Sequence, residues 1–165
     1  MRSRRPLFRL RTSFGRGNHA DALGSCSAGD ALYKNYDRGN SPSVLNLSAL
    51  TEANRNFRAA LWTGENLQIT VMEIPVGNDI GLENHGDTEQ VLVVVSGLGE
   101  ASMGKDREKP QKIERMGPGY AVVIPKNTWH NVKNVGRTPL KLYSVYSPPH
   151  HPYGTLEKES SDQEN

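Results

Sequence analysis

The run GYAVVIPKNTWHNVKN, residues 119–134, has the pattern of two short β-strands joined by a tight turn. Apolar side chains fill residues 120–124, Pro125 leads the turn, and the second strand opens on His130. This arrangement predicts that one imidazole is held at a fixed point on the rim or inner wall of a β-structure. Because imidazole nitrogens are common ligands of transition metals, His130 is a candidate metal ligand.

A second polar cluster lies upstream, just before an apolar strand predicted at residues 90–95. It contains Glu83, His85, Glu89 and Gln90. Side chains two residues apart on a strand point to the same face, so Glu83 and His85 can share one metal ion. Gln90 offers only a neutral amide oxygen, as a weaker ligand or as an anchor for a bound water. Glu89 points away when Gln90 points inward, which leaves it outside the ligand set.

These two segments resemble the two sequence motifs of the cupin family. The second cupin motif is Gly, five residues, Pro, any residue, Gly, two residues, His, three residues and Asn. Gly119, Pro125, His130 and Asn134 fall on this pattern in register. Asn127 stands where the family prefers Gly, and Asn tolerates a positive φ better than most residues, so the turn is expected to survive the change.

The first cupin motif is present in an altered form. The family pattern is His, any residue, His, three or four residues, Glu, six residues and Gly. Here Glu83 takes the first His position, His85 the second, Gln90 the Glu position and Gly97 the Gly position. The resemblance implies that Glu83, His85, Gln90 and His130 hold one divalent transition metal. Two imidazoles and a carboxylate are the ligands of the non-haem iron facial triad, and the same set also suits Mn, Zn or Ni.

The strand pattern agrees with this family. Turn signals every eight to twelve residues and almost no helix predict an all-β barrel or sandwich. The pattern alone leaves open a jelly roll, an immunoglobulin-like sandwich and a closed barrel, whereas the resemblance implies a double-stranded β-helix, or jelly-roll, barrel. Strands are predicted at residues 57–62, 67–74, 90–95, 100–104, 112–116, 120–124, 129–134 and 140–146, with a candidate edge strand at 43–47 and one helical turn at 48–52.

Residues 90–95 are continuously apolar after Gln90, which predicts that both faces of this strand are buried. The runs FRAALWTG at 57–64, IGLE at 80–83 and PPHHP at 148–152 make the chain most similar to small single-domain bacterial cupins of unassigned activity. The two histidines in the last run, His150 and His151, lie between prolines and are expected to have a structural or rim role.

The 165 residues suit one domain, with a disordered basic extension at residues 1–35, a barrel at 37–155 and a polar tail at 156–165. Residues 1–20 contain arginines and no acidic residue. This composition is typical of a mitochondrial transit peptide, and a disordered basic tail or an upstream translated stretch has it too. Because the similar proteins are bacterial, a cytoplasmic protein is expected, with a mitochondrial location as the alternative.

Composition excludes several other classes of protein. The single cysteine, Cys26, excludes an internal disulfide framework. A net charge of +2 is too small to indicate nucleic-acid binding, and no apolar run is long enough for a membrane span. The expected partners are a small-molecule ligand and a second copy of the chain, because a single barrel exposes sheet edges that a homodimer covers. The dimer contact is expected at residues 43–62.

Three functions are compatible with the sequence. The first is a metal-dependent enzyme that acts on a small polar metabolite, by sugar-phosphate isomerase or epimerase-like chemistry or by dioxygenase-like chemistry. The second is a non-catalytic module that binds a small molecule or a metal. The third is a structural barrel whose altered first motif no longer holds metal. Because a fold does not determine a reaction, the enzymatic assignment depends on the resemblance, and no catalytic residue is assigned.

Overall fold

The computed structural model describes residues 36–160 of the chain. The basic extension predicted at residues 1–35, with Cys26 and the candidate targeting peptide, lies outside the described residues. Residues 161–165, at the end of the predicted tail, also lie outside them. Over residues 36–160, no helix has the length and apolar character that a membrane crossing requires.

The described chain consists of one short helix followed by nine strands. They are α1 Leu47–Ala53, β1 Arg58–Thr63, β2 Gln68–Ile74, β3 Glu89–Ser96, β4 Gly99–Gly104, β5 Lys112–Met116, β6 Ala121–Ile124, β7 Trp129–Asn134, β8 Leu140–Ser147 and β9 Leu156–Glu157.

Two antiparallel sheets form the walls of the barrel. One has six strands in the order β6-β3-β8-β2-β1-β9, and the other has three strands in the order β5-β4-β7. Strands that are distant in sequence therefore become neighbours, as when β8 lies between β2 and β3. This topology confirms the predicted all-β jelly-roll barrel.

The inner face of the six-stranded sheet is apolar at one end and polar at the other. One row across β2, β8 and β3 belongs to the hydrophobic core: Met72, Leu142 and Val94. A second row, four positions along each strand, is polar and equally buried: Gln68, Tyr146 and Gln90. Because residues an even number of positions apart share a strand face, both rows point into the barrel. The polar row marks the end of the interior where a polar site can form.

Helix α1 covers the outer face of the same sheet. Leu47 and Leu50 from the helix pack against a second cluster that includes Leu61 and Val71. The Asn46 side chain accepts a hydrogen bond from the Ala49 amide at 3.1 Å, which satisfies one of the free donors at the start of the helix.

The prediction of an edge strand at residues 43–47 is wrong. Residues 42–46 form no strand and Leu47 opens the helix. Val44 is fully exposed, whereas Leu45 and Leu47 pack against the cluster that includes Leu61 and Val71. A capping asparagine and the apolar helix face determine the conformation here instead of the short β-like pattern.

Strand β3 also differs from its prediction. Leu92 and Val94 are fully buried, but Val91 and Val93 on the opposite face are only half-buried. The run of valines therefore alternates between a core face and a partly covered outer face. β-branched residues are favoured on such pleated surfaces even where burial is incomplete, so an apolar run does not by itself require two buried faces.

The start of the predicted polar tail adds a strand to the sheet. Leu156–Glu157 forms β9 and pairs antiparallel with β1, so that Glu157 lies opposite Arg58. Backbone hydrogen bonds from Ala60 to Thr155 at 2.8 Å and from Phe57 to Lys158 at 3.3 Å extend the contact on both sides. The sheet therefore continues past residue 155.

Candidate metal centre

Backbone pairing brings Glu83 and His130 together. The amide of each residue donates to the carbonyl of the other at 2.9 Å, forming an isolated antiparallel bridge between the segment around Glu83 and strand β7. Side chains directly opposed in such a bridge lie on the same side. His85 follows Glu83 by two residues and shares that side, so one bridge positions all three side chains.

The turn before β7 contacts the segment that carries His85. The Asn127 amide donates to the His85 carbonyl at 2.8 Å, and the Asn127 side chain donates to the Gly86 carbonyl at 3.4 Å. Asn127 has a φ of 57°, the left-handed conformation that the turn requires. The prediction that Asn replaces Gly at this position without loss of the turn is therefore confirmed.

Three donor atoms converge at this point. Glu83 Oε2 lies 3.5 Å from His85 Nε2 and 3.6 Å from His130 Nε2. All three ligand atoms lie within 4.8 Å of one another. His85 and His130 are buried, whereas the Glu83 side chain is 21% exposed, so the cluster sits at the edge of the interior. The structure thus brings together three of the four predicted ligands.

The hydrogen bonding of His130 defines which nitrogen is free. Its Nδ1 lies 2.9 Å from the Thr128 carbonyl, which can only accept, so Nδ1 carries the proton. In the neutral ring, Nε2 then bears the lone pair that a metal requires. Among the described residues, Nε2 of His130 and Nε2 of His85 have no hydrogen-bond partner although both are buried. A lone pair that faces a carboxylate is unfavourable unless a positive charge, either a metal ion or a proton on the ring, lies between the two atoms.

The donor spacing is compatible with a metal ion as that positive charge. Two donors that each lie about 2.1 Å from one ion are about 3.4 Å apart at a tetrahedral angle. The separations of 3.5 and 3.6 Å at Glu83 Oε2 are close to this value. Imidazole and carboxylate ligands fit a divalent first-row transition metal and do not select among Fe, Mn, Zn and Ni.

Gln90 lies on the inner face of β3 and is buried. Its Nε2 donates to Ser144 Oγ at 3.3 Å, which leaves Oε1 as the free end of the amide. Within the described chain Oε1 has no hydrogen-bond partner. Oε1 is also the only atom of this side chain that can bind a metal or accept from a bound water. The role of Gln90 as fourth ligand or water anchor stays a prediction, and Glu89 is exposed, as expected.

Charge in and around the cluster keeps Glu83 ionised. Burial alone would raise the pKa of Glu83, but the facing imidazoles of His130 and His85 and the guanidinium of Arg58 hold that pKa below its usual range. Arg58 Nη2 lies 3.3 Å from Glu83 Oε1, so the guanidinium contacts one carboxylate oxygen and the imidazoles face the other. The carboxylate is therefore available as an anionic ligand.

Comparison with known proteins identifies the family. The family model for a cupin domain matches residues 70–146. The uncharacterized protein YrkC of Bacillus subtilis is 43% identical over 143 residues, which cover 87% of this chain and 76% of that protein. The chain belongs to the cupin family.

Solved structures agree with this assignment. The cupin superposes on the crystal structure of BH2720 from Bacillus halodurans with a TM-score of 0.74 and 49% identity, covering 74% of this chain and 93% of that one. It superposes on KdgF from Halomonas with a TM-score of 0.51 and 20% identity, covering 56% of this chain and 80% of that one. The second likeness shows the fold alone. These comparisons establish the family and do not name a reaction.

The structure adds residues around the centre that the motifs of this cupin do not reveal. The His150 ring lies 3.9 Å from the His85 ring, between centroids, and His150 is exposed. His151 Nε2 lies 3.3 Å from the hydroxyl of the buried Tyr146. Both histidines therefore lie beside the cluster, in keeping with the expected rim position. The PPHHP run drew attention to these histidines in the sequence, but only the fold shows that His150 lies against His85.

A buried glutamine fixes the segment that carries these two histidines. Gln68 Oε1 accepts from the amides of His150 at 3.2 Å and His151 at 2.9 Å. Gln68 Nε2 donates to the His151 carbonyl at 2.8 Å and to Thr63 Oγ1 at 2.9 Å. Both ends of one side-chain amide are thus used to position a loop, which explains why a polar residue stands at a fully buried place in β2.

Proposed function

We propose that this cupin is a metal-dependent enzyme that acts on a small polar metabolite at the centre formed by Glu83, His85 and His130. One observation carries the proposal. Two buried imidazole nitrogens, which have no other partner in the described chain, face the same carboxylate oxygen at 3.5 and 3.6 Å. Buried polar atoms are nearly always paired, and a divalent cation between these three atoms would pair all of them.

The residues define what kind of chemistry the site supports. A bound divalent transition metal supplies Lewis-acid activation of a carbonyl or hydroxyl oxygen, or redox chemistry if it is iron. Glu83 contributes the single negative charge of the ligand set, and Gln90 is neutral where the family pattern has an acid. A site with a divalent ion and one anionic ligand keeps a net positive charge, which favours an anionic or oxygen-rich ligand.

The proposed substrates follow from that charge and from the surroundings. Sugars, sugar phosphates and keto or enol acids present oxygens that a cationic centre can bind. The proposed reactions are isomerisation or epimerisation of such a metabolite, or its oxidation by dioxygen. The polar end of the barrel interior, with Gln90 and Tyr146, offers hydrogen-bonding side chains next to an otherwise apolar core.

A non-catalytic binding module is the second candidate, and one observation favours it. Burial raises the pKa of Tyr146, so this phenol stays protonated at neutral pH and does not act as a base there. With Tyr146 excluded, a base would have to come from His150 or His151 beside the cluster, and without such a base the site suits binding better than isomerisation.

Elemental analysis of the full-length protein, purified without added metal, tests the metal-binding step. We expect about one divalent transition metal per chain in the wild type and none in Glu83→Ala or His130→Ala. Glu89→Ala is the matched control, because Glu89 is an exposed acid in the same segment. A full equivalent of metal in both site variants contradicts the proposal and favours the structural-barrel function.

Turnover assays then separate enzyme from binding module. The loaded protein is tested for interconversion of aldose and ketose phosphates and for oxygen uptake with keto and enol acids. Turnover that disappears in His130→Ala supports the enzyme. Tight metal binding without turnover of any tested compound supports the binding module.

A further inference from the structure

Arg58 connects the candidate metal centre to the C-terminal strand. Its side chain is only 7% exposed and lies between two carboxylates. Nη1 lies 2.7 Å from Glu157 Oε2 and Nη2 lies 3.3 Å from Glu83 Oε1. The guanidinium therefore joins a metal ligand to a residue 99 positions later than Arg58.

Strand pairing fixes the Glu157 end of this connection. Glu157 lies directly opposite Arg58 in the β1–β9 ladder, so their ion pair is a cross-strand pair. Backbone hydrogen bonds at Thr155 and Lys158 anchor β9 on either side of it. The shorter of the two Arg58 contacts is thus the one held by the sheet, and the longer one is directed at the metal ligand.

We infer that Glu157 is a positioning residue for the metal centre and that it acts through Arg58. The inference depends on the proposed metal binding at Glu83, His85 and His130. Arg58 contacts only Oε1 of Glu83, which leaves Oε2 facing the two imidazoles. Glu157 holds the guanidinium so that it orients the carboxylate without capturing both of its oxygens.

Two physical effects of removing the Glu157 charge act in the same direction. First, the Arg58 charge is no longer balanced, so it attracts Glu83 more strongly and competes with a metal ion for the carboxylate. Second, the guanidinium loses its short contact and no longer fixes the orientation of Oε1. Outer partners that orient metal ligands typically contribute about 10- to 100-fold to metal affinity.

Zn²⁺ titration of the metal-free, full-length protein tests the inference. We expect Glu157→Gln to bind Zn²⁺ about 10-fold more weakly than the wild type. Glu159→Gln is the matched control, since it makes the same change at an exposed acid two residues further along and should leave the affinity unchanged. Equal affinities for the wild type and Glu157→Gln overturn the inference.

A double-mutant cycle tests whether the effect passes through Arg58. In an Arg58→Met background, Glu157→Gln should change Zn²⁺ affinity less than two-fold, because the connection is already broken. Additive effects overturn the role of Arg58. If Arg58→Met does not fold, Arg58→Lys serves, since a lysine keeps the charge but cannot make two separated contacts to two carboxylates.

A measurement on the metal-free protein separates failure of this inference from failure of the proposed function. Glu157→Gln should shift the ring ¹⁵N resonances of His85 and His130, and Glu159→Gln should not. If the wild type binds no Zn²⁺ but these resonances shift, the metal proposal is wrong and the connection through Arg58 stands. If the resonances do not shift, the connection is wrong whether or not metal binds.

Discussion

Two clusters of buried polar side chains in this protein differ in how their hydrogen bonds are used. One is the Glu83–His85–His130 cluster inside the barrel, where the Nε2 atoms of both histidines have no partner within the described chain. The other lies on the outer face of the six-stranded sheet, where Lys141 is 5% exposed. Lys141 Nζ donates to the Glu73 carboxylate, to the Asn54 carbonyl and, at 3.3 Å, to the Glu52 carbonyl.

The difference distinguishes a structural cluster from a candidate ligand site. An ammonium has three donors, and Lys141 uses all three on acceptors that include carbonyls at the C-terminal end of helix α1. That cluster is complete and needs nothing from outside. The histidine cluster is incomplete, because buried polar atoms without a partner cost free energy unless something binds them. Both clusters contain buried charged groups, so burial of charge does not distinguish them. What distinguishes the histidine cluster is that two of its buried nitrogens have no hydrogen-bond partner in the described chain.

The largest expected effect is loss of metal on changing the incomplete cluster. His85→Ala or His130→Ala should reduce bound metal from about one equivalent to none, since each removes one of two nitrogen donors. The metal-free variants should remain folded, because neither Nε2 has a hydrogen-bond partner in the described chain and His130→Ala loses only the bond from Nδ1 to the Thr128 carbonyl. Elemental analysis with circular dichroism measures both properties. If His85→Ala or His130→Ala unfolds while Lys141→Met stays folded, the roles assigned to the two clusters are contradicted.

Lys141→Met should have the opposite effects, lowering stability and leaving the bound metal in place. The substitution should reduce the free energy of unfolding by about 2 kcal/mol, because two backbone carbonyls and the Glu73 carboxylate lose a charged donor, while Arg55 Nη1 remains 3.6 Å from Glu73 Oε2. Metal content should not change. Denaturant unfolding gives the free energy, and Lys133→Met, at an exposed lysine on β7, is the control. A loss below 1 kcal/mol or a loss of metal contradicts the structural role.

Asn134→Ala tests the same distinction between structural and ligand residues within the second cupin motif. Asn134 Nδ2 donates to the carbonyls of Ile74 and Thr138 at 2.9 Å each, and its Oδ1 accepts from the Gly136 amide at 2.9 Å. Removing it should cost about 2 kcal/mol of stability, since buried backbone groups lose their partners. Metal binding should persist, in contrast to His130→Ala four residues earlier. Metal loss in a folded Asn134→Ala protein counts against this division of roles.

Substitutions of Gln90 should change metal affinity by smaller amounts. Gln90→Ala should weaken Zn²⁺ binding several-fold without abolishing it, because a water molecule can replace a neutral amide oxygen. Gln90→Glu should strengthen it by adding a charged ligand. Competition titrations against a chelator of known affinity rank the three proteins. Identical affinities show that Gln90 lies outside the metal's ligands and their waters.

The smallest expected effect is on the pH dependence of stability. Burial, the charge of Arg58 and the neighbouring His150 lower the pKa of His151 to about 3. A histidine whose folded-state pKa is below its unfolded value of 6.5 contributes stability that is lost as pH falls below 6.5. His151→Gln should therefore flatten the fall in stability of the metal-free protein between pH 7 and 5. An unchanged slope in that window contradicts this assignment, and Lys141→Met should leave the slope as it is.

Local sequence patterns predicted a large part of the fold and the centre of the site. Alternation and turn residues gave most strands within one or two residues, because both depend on neighbouring positions. The same is true of the turn at Asn127 and of the even spacing that puts Glu83 and His85 on one side. The predictions were wrong at residues 43–47, where a helix cap and an apolar helix face formed instead, and in the burial of both faces of β3.

Other residues around the site could not be predicted from the sequence. Arg58 is one of many arginines, and nothing near it in the chain indicates that it lies between Glu83 and Glu157. His150 had a visible motif but no indication of its place against His85. The partners of Lys141 lie 68 to 89 positions away in sequence. Such contacts depend on strand order and register.

The amino-acid sequence was enough to predict the strands, the turns and the residue types of the candidate metal centre, because each depends on chemistry within a few residues, and its two motifs indicated the family. The three-dimensional fold was needed to show which buried polar atoms of residues 36–160 have hydrogen-bond partners and which have none. That distinction requires the pairing of β1 with β9, of β2 with β8 and of β7 with the segment around Glu83. A hydrogen bond is a short-range interaction, so whether a polar atom has a partner is settled only when residues distant in sequence are brought into contact.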